Sequence, residues 1–231
     1  MHKPKMPVLS VCEIPNYVNV EQLKKFVTDY LAPRISFYQE TKKKMVVESA
    51  FSEYFIAKST EGVEIGGGHC PMDVRTFTGD GIDAMCLCFN GSQTNEKSVI
   101  QNFSVSGKAL DGLFAEKKDV EALALYKTDL KKKWSDVKRD KDLADLYYAC
   151  FTSTDTSVYL TFLKIDPEQI DAVESGGFRG ASKESKNILV KNFIDPAIGI
   201  VTLYKSKKRI ELRLKDDMVN SEHTVELYKL P

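Results

Sequence analysis

Between Val20 and Leu31 the apolar residues fall at Val20, Leu23, Phe26, Val27, Tyr30 and Leu31, the three-to-four spacing of an amphipathic helix. The same spacing predicts a helix over 43–58, with Met45, Val46, Ala50, Phe51, Tyr54 and Phe55 toward a core. Gly62 and the run Gly66 to Gly68 then break the pattern. Next come two apolar stretches, Ile82 to Phe89 and Ser98 to Val105, with Asn90-Gly91 as a turn signal between them. They predict an antiparallel pair that brings Asp83 level with residues 98–101. Helical spacing returns at 108–117 and again over 120–150, the second stretch interrupted by the charges of 138–142.

The last third alternates as strands do, at Ser157 to Ile165, Asn187 to Ile194, Ile198 to Tyr204 and Arg209 to Leu214, with a short helix near Pro167 to Glu174. Internal repeats, low-complexity tracts and long linkers are missing. The expectation is therefore one α/β domain over 1–231, a mixed central β-sheet flanked by helices.

Composition changes that picture little. The 231 residues are 42% apolar and 29% charged, as in an ordinary globular protein. Lys plus Arg equals Asp plus Glu at 33 each, so any polyanion binding has to come from local clusters. No apolar run approaches the roughly 18 residues of a membrane-spanning helix, and the first residues lack the apolar stretch of a signal peptide. The five cysteines form no CxxC pair, and Cys86 and Cys88 read as small buried hydrophobes. A cytoplasmic setting fits that usage.

Candidate chemistry centres on PMDVRTFTGDGIDAMC, Pro71 to Cys86, which places Asp73 and Asp83 near the ends of neighbouring strands. Two such carboxylates suit a hard cation such as Mg²⁺, and Glu48, expected in the preceding helix, is a third. Asp80, before Gly81, reads as a turn residue. His69-Cys70 has no second pair at zinc spacing, and the glycine run lacks a nucleotide-loop signature. The three histidines are poorly set for a nucleophilic triad.

Helix with Glu48, strand with Asp73, strand with Asp83, then a further strand and helix resembles the core of the PD-(D/E)XK nuclease superfamily, over about residues 45–115. Pro71-Met72-Asp73 looks like that family's first acid, and Asp83-Ala84-Met85 like its acid-x-Lys triplet with methionine in the lysine place. The resemblance implies a Mg²⁺-dependent endonuclease of restriction type acting on double-stranded DNA, with Asp73, Asp83 and Glu48 holding the metal. Lys97 would then supply the missing cation. A second register takes Asp83 as first acid, with Asn95-x-Lys97 or Gln101 completing the site. A catalytically inactive nucleic-acid-binding or protein-interaction module on the same fold is the alternative.

A single site that must cut both strands implies a homodimer. Lys205, Lys207, Lys208 and Arg209, at an expected hairpin turn, are the candidate phosphate contacts. Lys42 to Lys44 and Lys131 to Lys133 are further basic clusters, the last read as a solvated helix face. Arg179, Lys183 and Arg213 are candidates for base readout, though nothing in the sequence singles them out.

Overall fold

The structure, a computed structural model, describes residues 6–41, 43–66, 70–90, 93–94, 98–102, 107–179, 187–204 and 209–230. In chain order the elements are β1 (Leu9–Cys12), α1 (Val20–Leu31), α2 (Ile35–Thr41), α3 (Ser49–Ser59), β2 (Val63–Glu64) and β3 (Val74–Arg75). β4 (Gly81–Asn90), β5 (Gln93–Thr94), β6 (Ser98–Asn102), α4 (Gly107–Ala115), α5 (Asp119–Asp140) and β7 (Leu146–Ser153) follow. The chain continues through β8 (Ser157–Ile165), β9 (Glu174–Arg179), β10 (Asn187–Lys191), β11 (Gly199–Tyr204), β12 (Arg209–Leu214) and β13 (Thr224–Lys229).

The fold is α/β. Its main sheet runs β1-β8-β7-β4-β3-β2, with β13 also paired to β8 and β5 paired to the far end of β4. It is mixed: β4 and β7 are parallel, joined through α4 and α5, while their outer neighbours pair antiparallel. A second, antiparallel sheet runs β6-β12-β11-β10-β9. Strand alternation sends Met85, Leu87, Tyr148 and Cys150 into a core shared with α4, α5 and the second sheet, where Trp134 lies against Phe193. Ala84, Cys86, Ala149 and Phe151 face the other way, onto α1 and α3.

Sequence spacing located α1, where the Asn19 side chain accepts from the Gln22 N–H. It overran the next helix. Residues 43–48 are extended, with Met45 and Val47 both buried two positions apart, so α3 starts only at Ser49 and Glu48 is its N-cap. The helix expected over 120–150 also divides. Asp142 adopts a φ of 51°, the chain reverses, and the apolar run from Leu146 becomes a buried strand beside β4. Continuous apolar runs suit a parallel strand covered on both faces, and periodicity alone does not separate them from a buried helix. β1, β9 and β13 were not anticipated.

The expected hairpin of β4 with residues 98–105 does not form as read. Only Phe89 and Asn90 pair back, with Thr94 and Gln93. The β6 strand joins the second sheet beside β12. Asp83 therefore stands opposite Tyr148 of β7 rather than residues 98–101.

Candidate functional site

Asp73 immediately precedes β3, and its backbone makes the last rung of the short β3–β4 ladder by donating to the Ile82 carbonyl at 2.9 Å. Beyond that rung β4 has no further β3 residue to pair with. The Asp73 carboxylate takes over, its Oδ2 accepting from the Ala84 N–H at 2.9 Å. The Asp73 carbonyl accepts from the N–H groups of Ile65 and Gly66. This residue is thus held on three sides before any chemistry is asked of it.

Asp83, two residues into β4, puts its carboxyl against that of Asp73. Burial raises Asp83 well above the ordinary carboxylate range, and the charge and hydrogen bonding of Asp73 raise it further, with Glu53 adding to the rise. Of the two carboxyls, Asp83 is therefore the one held toward its protonated form. Tyr148 and Cys150 border Asp83 on the same sheet face, and burial followed by the Asp83 charge raises both of their pKa values.

The third acid differs from the one expected. Glu48 is exposed at the N-terminus of α3, and its nearest described influence is on the Tyr30 phenol, not on the pair. Glu53, one turn into α3, is the helix acid that Asp83 feels. Its Oε1 accepts from Ser49 Oγ at 2.9 Å. Burial raises the Glu53 carboxyl, the Ser49 hydrogen bond works against that, and Asp73 and Glu64 push it further up. Glu53 was missed because a helix drawn from Lys43 made Glu48 an interior position.

Met85 shares the Asp83 face and is 6% exposed in the larger core. Lys97 and Asn95, proposed to complete the site, lie outside the described residues, as does the Gln101 side chain. Lys205, Lys207 and Lys208 also lie outside them. Of Arg209 the backbone is described, pairing with Tyr204 at the end of the β11–β12 ladder where residues 205–208 connect the two strands. Lys42 and Lys183 fall outside too. Arg213 donates to the Tyr204 hydroxyl at 3.0 Å.

A second polar cluster sits where β4 and β7 begin. Asp80 is a turn residue, as its position before Gly81 indicated: Thr76 N–H donates to its carbonyl and its own N–H donates to Thr76 Oγ1, both at 2.9 Å. Its Oδ1 also accepts from the Asp145 N–H at 3.0 Å, tying the two strand starts together. Lys164 Nζ donates to Asp145 Oδ2 at 2.8 Å. Burial raises the Tyr17 and Tyr147 phenols beside them, with Asp80 and Asp145 adding to the effect. Lys164 stands opposite Tyr147, which stands opposite Ile82, so it occupies the sheet face away from Asp83.

Mg²⁺ takes one or two protein carboxylates and fills its octahedron with water or substrate phosphate. Asp73 and Asp83 meet that minimum once Asp83 is ionised, with one Asp73 oxygen committed to Ala84. Among the described residues, no group of three or more His, Cys, Asp or Glu side chains is arranged to hold a metal ion. Among the described residues the pair thus offers a cation at most two carboxylate ligands, not a closed protein cage. Comparison with protein-family models, curated proteins and solved structures finds no match to this chain.

Proposed function

We propose that this protein is a Mg²⁺-dependent endonuclease hydrolysing phosphodiester bonds in double-stranded DNA. The observation that carries the reading is the meeting of Asp73 and Asp83 across β3 and β4, with Asp73 fixed by the Ala84 N–H and the Asp83 carboxyl raised beside it. A pair so disposed gives up its proton when a divalent cation offers a stronger partner. When bound there, Mg²⁺ would polarise a phosphate oxygen and lower the pKa of a coordinated water. Asp73 orients its free oxygen through the fixed Ala84 N–H bond, and Asp83 brings the second charge from the adjacent strand.

Glu53 is the nearest candidate to take a proton from the attacking water, since its own carboxyl is raised above the ordinary range. Water adds to phosphorus as the P–O bond to the leaving nucleotide oxygen breaks, and that oxygen takes up a proton. Two strands are cut by two copies of the chain, so the active species in this reading is a homodimer. Lys205, Lys207, Lys208 and Arg209 are its proposed phosphate contacts, each neutralised phosphate contributing about −0.9 to the logarithmic salt slope.

The burial of Met85, where the nuclease pattern has lysine, favours a second reading: a non-catalytic nucleic-acid-binding module on the same fold. One experiment separates the two. Plasmid DNA is incubated with the chain, Asp83→Ala and Met85→Lys in Mg²⁺, Mn²⁺ or EDTA, with Mn²⁺ binding followed by electron paramagnetic resonance. Metal-dependent cleavage lost in Asp83→Ala supports the nuclease. Salt-sensitive duplex binding without cleavage by any form moves the conclusion to the binding module. Neither cleavage nor binding refutes both.

A further inference from the structure

The run Gly66 to Gly68 breaks the chain just before the acid pair, and its first residue lies among those described. The β2–β3 ladder sets Val63 opposite Arg75 and Glu64 opposite Val74, so Ile65 is the next residue due opposite Asp73. Gly66 joins it there. Both N–H groups donate to the Asp73 carbonyl, at 2.7 Å and 3.0 Å, so two residues face one and the chain carries a β-bulge. A Cβ placed on Gly66 would stand 3.3 Å from Asp73 Oδ1 and equally far from Asp73 Cα. The backbone conformation does not ask for glycine, since Gly66 is not among the residues of positive φ. The room beside Asp73 Oδ1 does.

That room is also the way in to the pair. β7 runs beside β4 from Gly81 to Cys88 and closes that edge of the strand. Met85, Tyr148 and Cys150 share the Asp83 face and are buried in the larger core. The side toward β2 and β3 is left, and there Glu64 and Gly66 are exposed. Asp73 Oδ2 is taken by the Ala84 N–H, which leaves Oδ1, the oxygen beside Gly66, for a ligand. The ligand this entry suits is a cation, because no salt bridge among the described residues engages Asp73, Asp83, Glu53 or Glu64.

We infer that Gly66 is a positioning residue for the acid pair: lacking a side chain, it keeps open the space at Asp73 Oδ1 that a hydrated divalent cation takes up. This role rests on the metal-dependent reading proposed above. A hard cation of the Mg²⁺ kind sits roughly 2.0–2.1 Å from a carboxylate oxygen and keeps several waters. A methyl group 3.3 Å from the same oxygen would stand among those waters. Asp73 cannot swing clear of it without giving up its bond to the Ala84 N–H. The bulge itself is held by backbone hydrogen bonds, which an alanine leaves in place. Substitution at Gly66 therefore acts on the ligand more than on the fold.

The test titrates Mn²⁺ into the full chain, with the free ion counted by electron paramagnetic resonance, so that no turnover is needed. The parent, Asp83→Ala, Gly66→Ala and Gly66→Val are compared, and urea unfolding followed by Trp134 fluorescence gives the stability of each. Gly66→Ala should weaken Mn²⁺ about 10- to 100-fold, the usual effect of disturbing the surroundings of a metal ligand. Gly66→Val should weaken it at least as much, and the urea midpoint of Gly66→Ala should stay close to that of the parent. A glycine needed only for the fold would instead move the midpoint and leave the affinity of the folded chain alone, and that result overturns the inference. So does Mn²⁺ binding that Asp83→Ala removes and Gly66→Ala retains in full. Mn²⁺ binding absent from the parent, or indifferent to Asp83→Ala, removes the metal reading of the pair and the role of Gly66 with it.

Discussion

Replacing Asp83 with asparagine should make the protein more stable, and increasingly so as pH rises. In the folded chain the Asp83 carboxyl is raised well above its ordinary value by burial and by Asp73. In the unfolded chain it titrates near 3.9, the value of an isolated aspartate. Below that value both states hold the proton and the carboxyl contributes its full share of stability. As pH climbs, the unfolded chain releases its proton first, so unfolding becomes progressively easier until the folded pKa is passed. Each pH unit between the two values costs about 1.4 kcal/mol, which for a chain of this size lowers Tm by roughly 3–6 °C.

Asparagine has nearly the same shape, can donate to the Asp73 carboxylate and has nothing to titrate. The stability difference between Asp83→Asn and the parent should therefore be small near pH 4, grow with pH, and level off above the folded pKa. Urea unfolding monitored from pH 4 to 9 at fixed ionic strength measures it, with fluorescence of Trp134 as the probe. That residue is the protein's one tryptophan and is fully buried. A difference that stays flat or shrinks as pH rises would refute the account of a raised Asp83 carboxyl.

Asp73→Ala should lower stability by about 1–3 kcal/mol, because it leaves the Ala84 N–H of a buried residue without its acceptor; urea midpoints check this. Gly62→Ala should destabilise by about 1–3 kcal/mol, since a Cβ there would lie 2.8 Å from the Arg75 carbonyl oxygen and the same distance from Val74 Cγ1, read as a loss in Tm. Phe193→Ala should cost about 3–5 kcal/mol and red-shift Trp134 emission, because Phe193 is wholly buried against that ring. Lys164→Met should change stability by less than about 1 kcal/mol, because its 2.8 Å pair with Asp145 is roughly half exposed on both sides. A larger loss on denaturant titration would show that the Asp80–Asp145 cluster bears more of the fold than its exposure implies.

Local pattern alone determined α1, the β4 strand, β8, the β11–β12 pair and the α/β class. In each the periodicity of one segment is enough, because burial on one face leaves a period of 3.6 or 2 in that segment's own residues. It also marked Asp73 and Asp83, since a Pro-Met-Asp turn into one strand and an acid at the start of the next are short-range features. Tertiary structure decided the rest. Residues 146–151 could have continued a helix, and only their place beside β4, covered on both faces, makes them a strand. The β6 strand left its hairpin partner for β12, more than a hundred residues away, because the second sheet offers it a full ladder.

The site followed the same division. That the two carboxyls meet depends on the short β3 ladder ending at Ile82, two residues before Ala84, which turns the Asp73 side chain into the missing rung. The helix acid changed from Glu48 to Glu53 when the extended 43–48 segment took the first turn away from α3. The room beside Asp73 was invisible in one dimension: Gly66 reads there only as a break in the pattern, and its place against Asp73 comes from how the chain after β2 meets β3. Sequence records which residues want to be buried, while the partner that buries them, or leaves them open, is fixed by contacts between segments far apart in the chain.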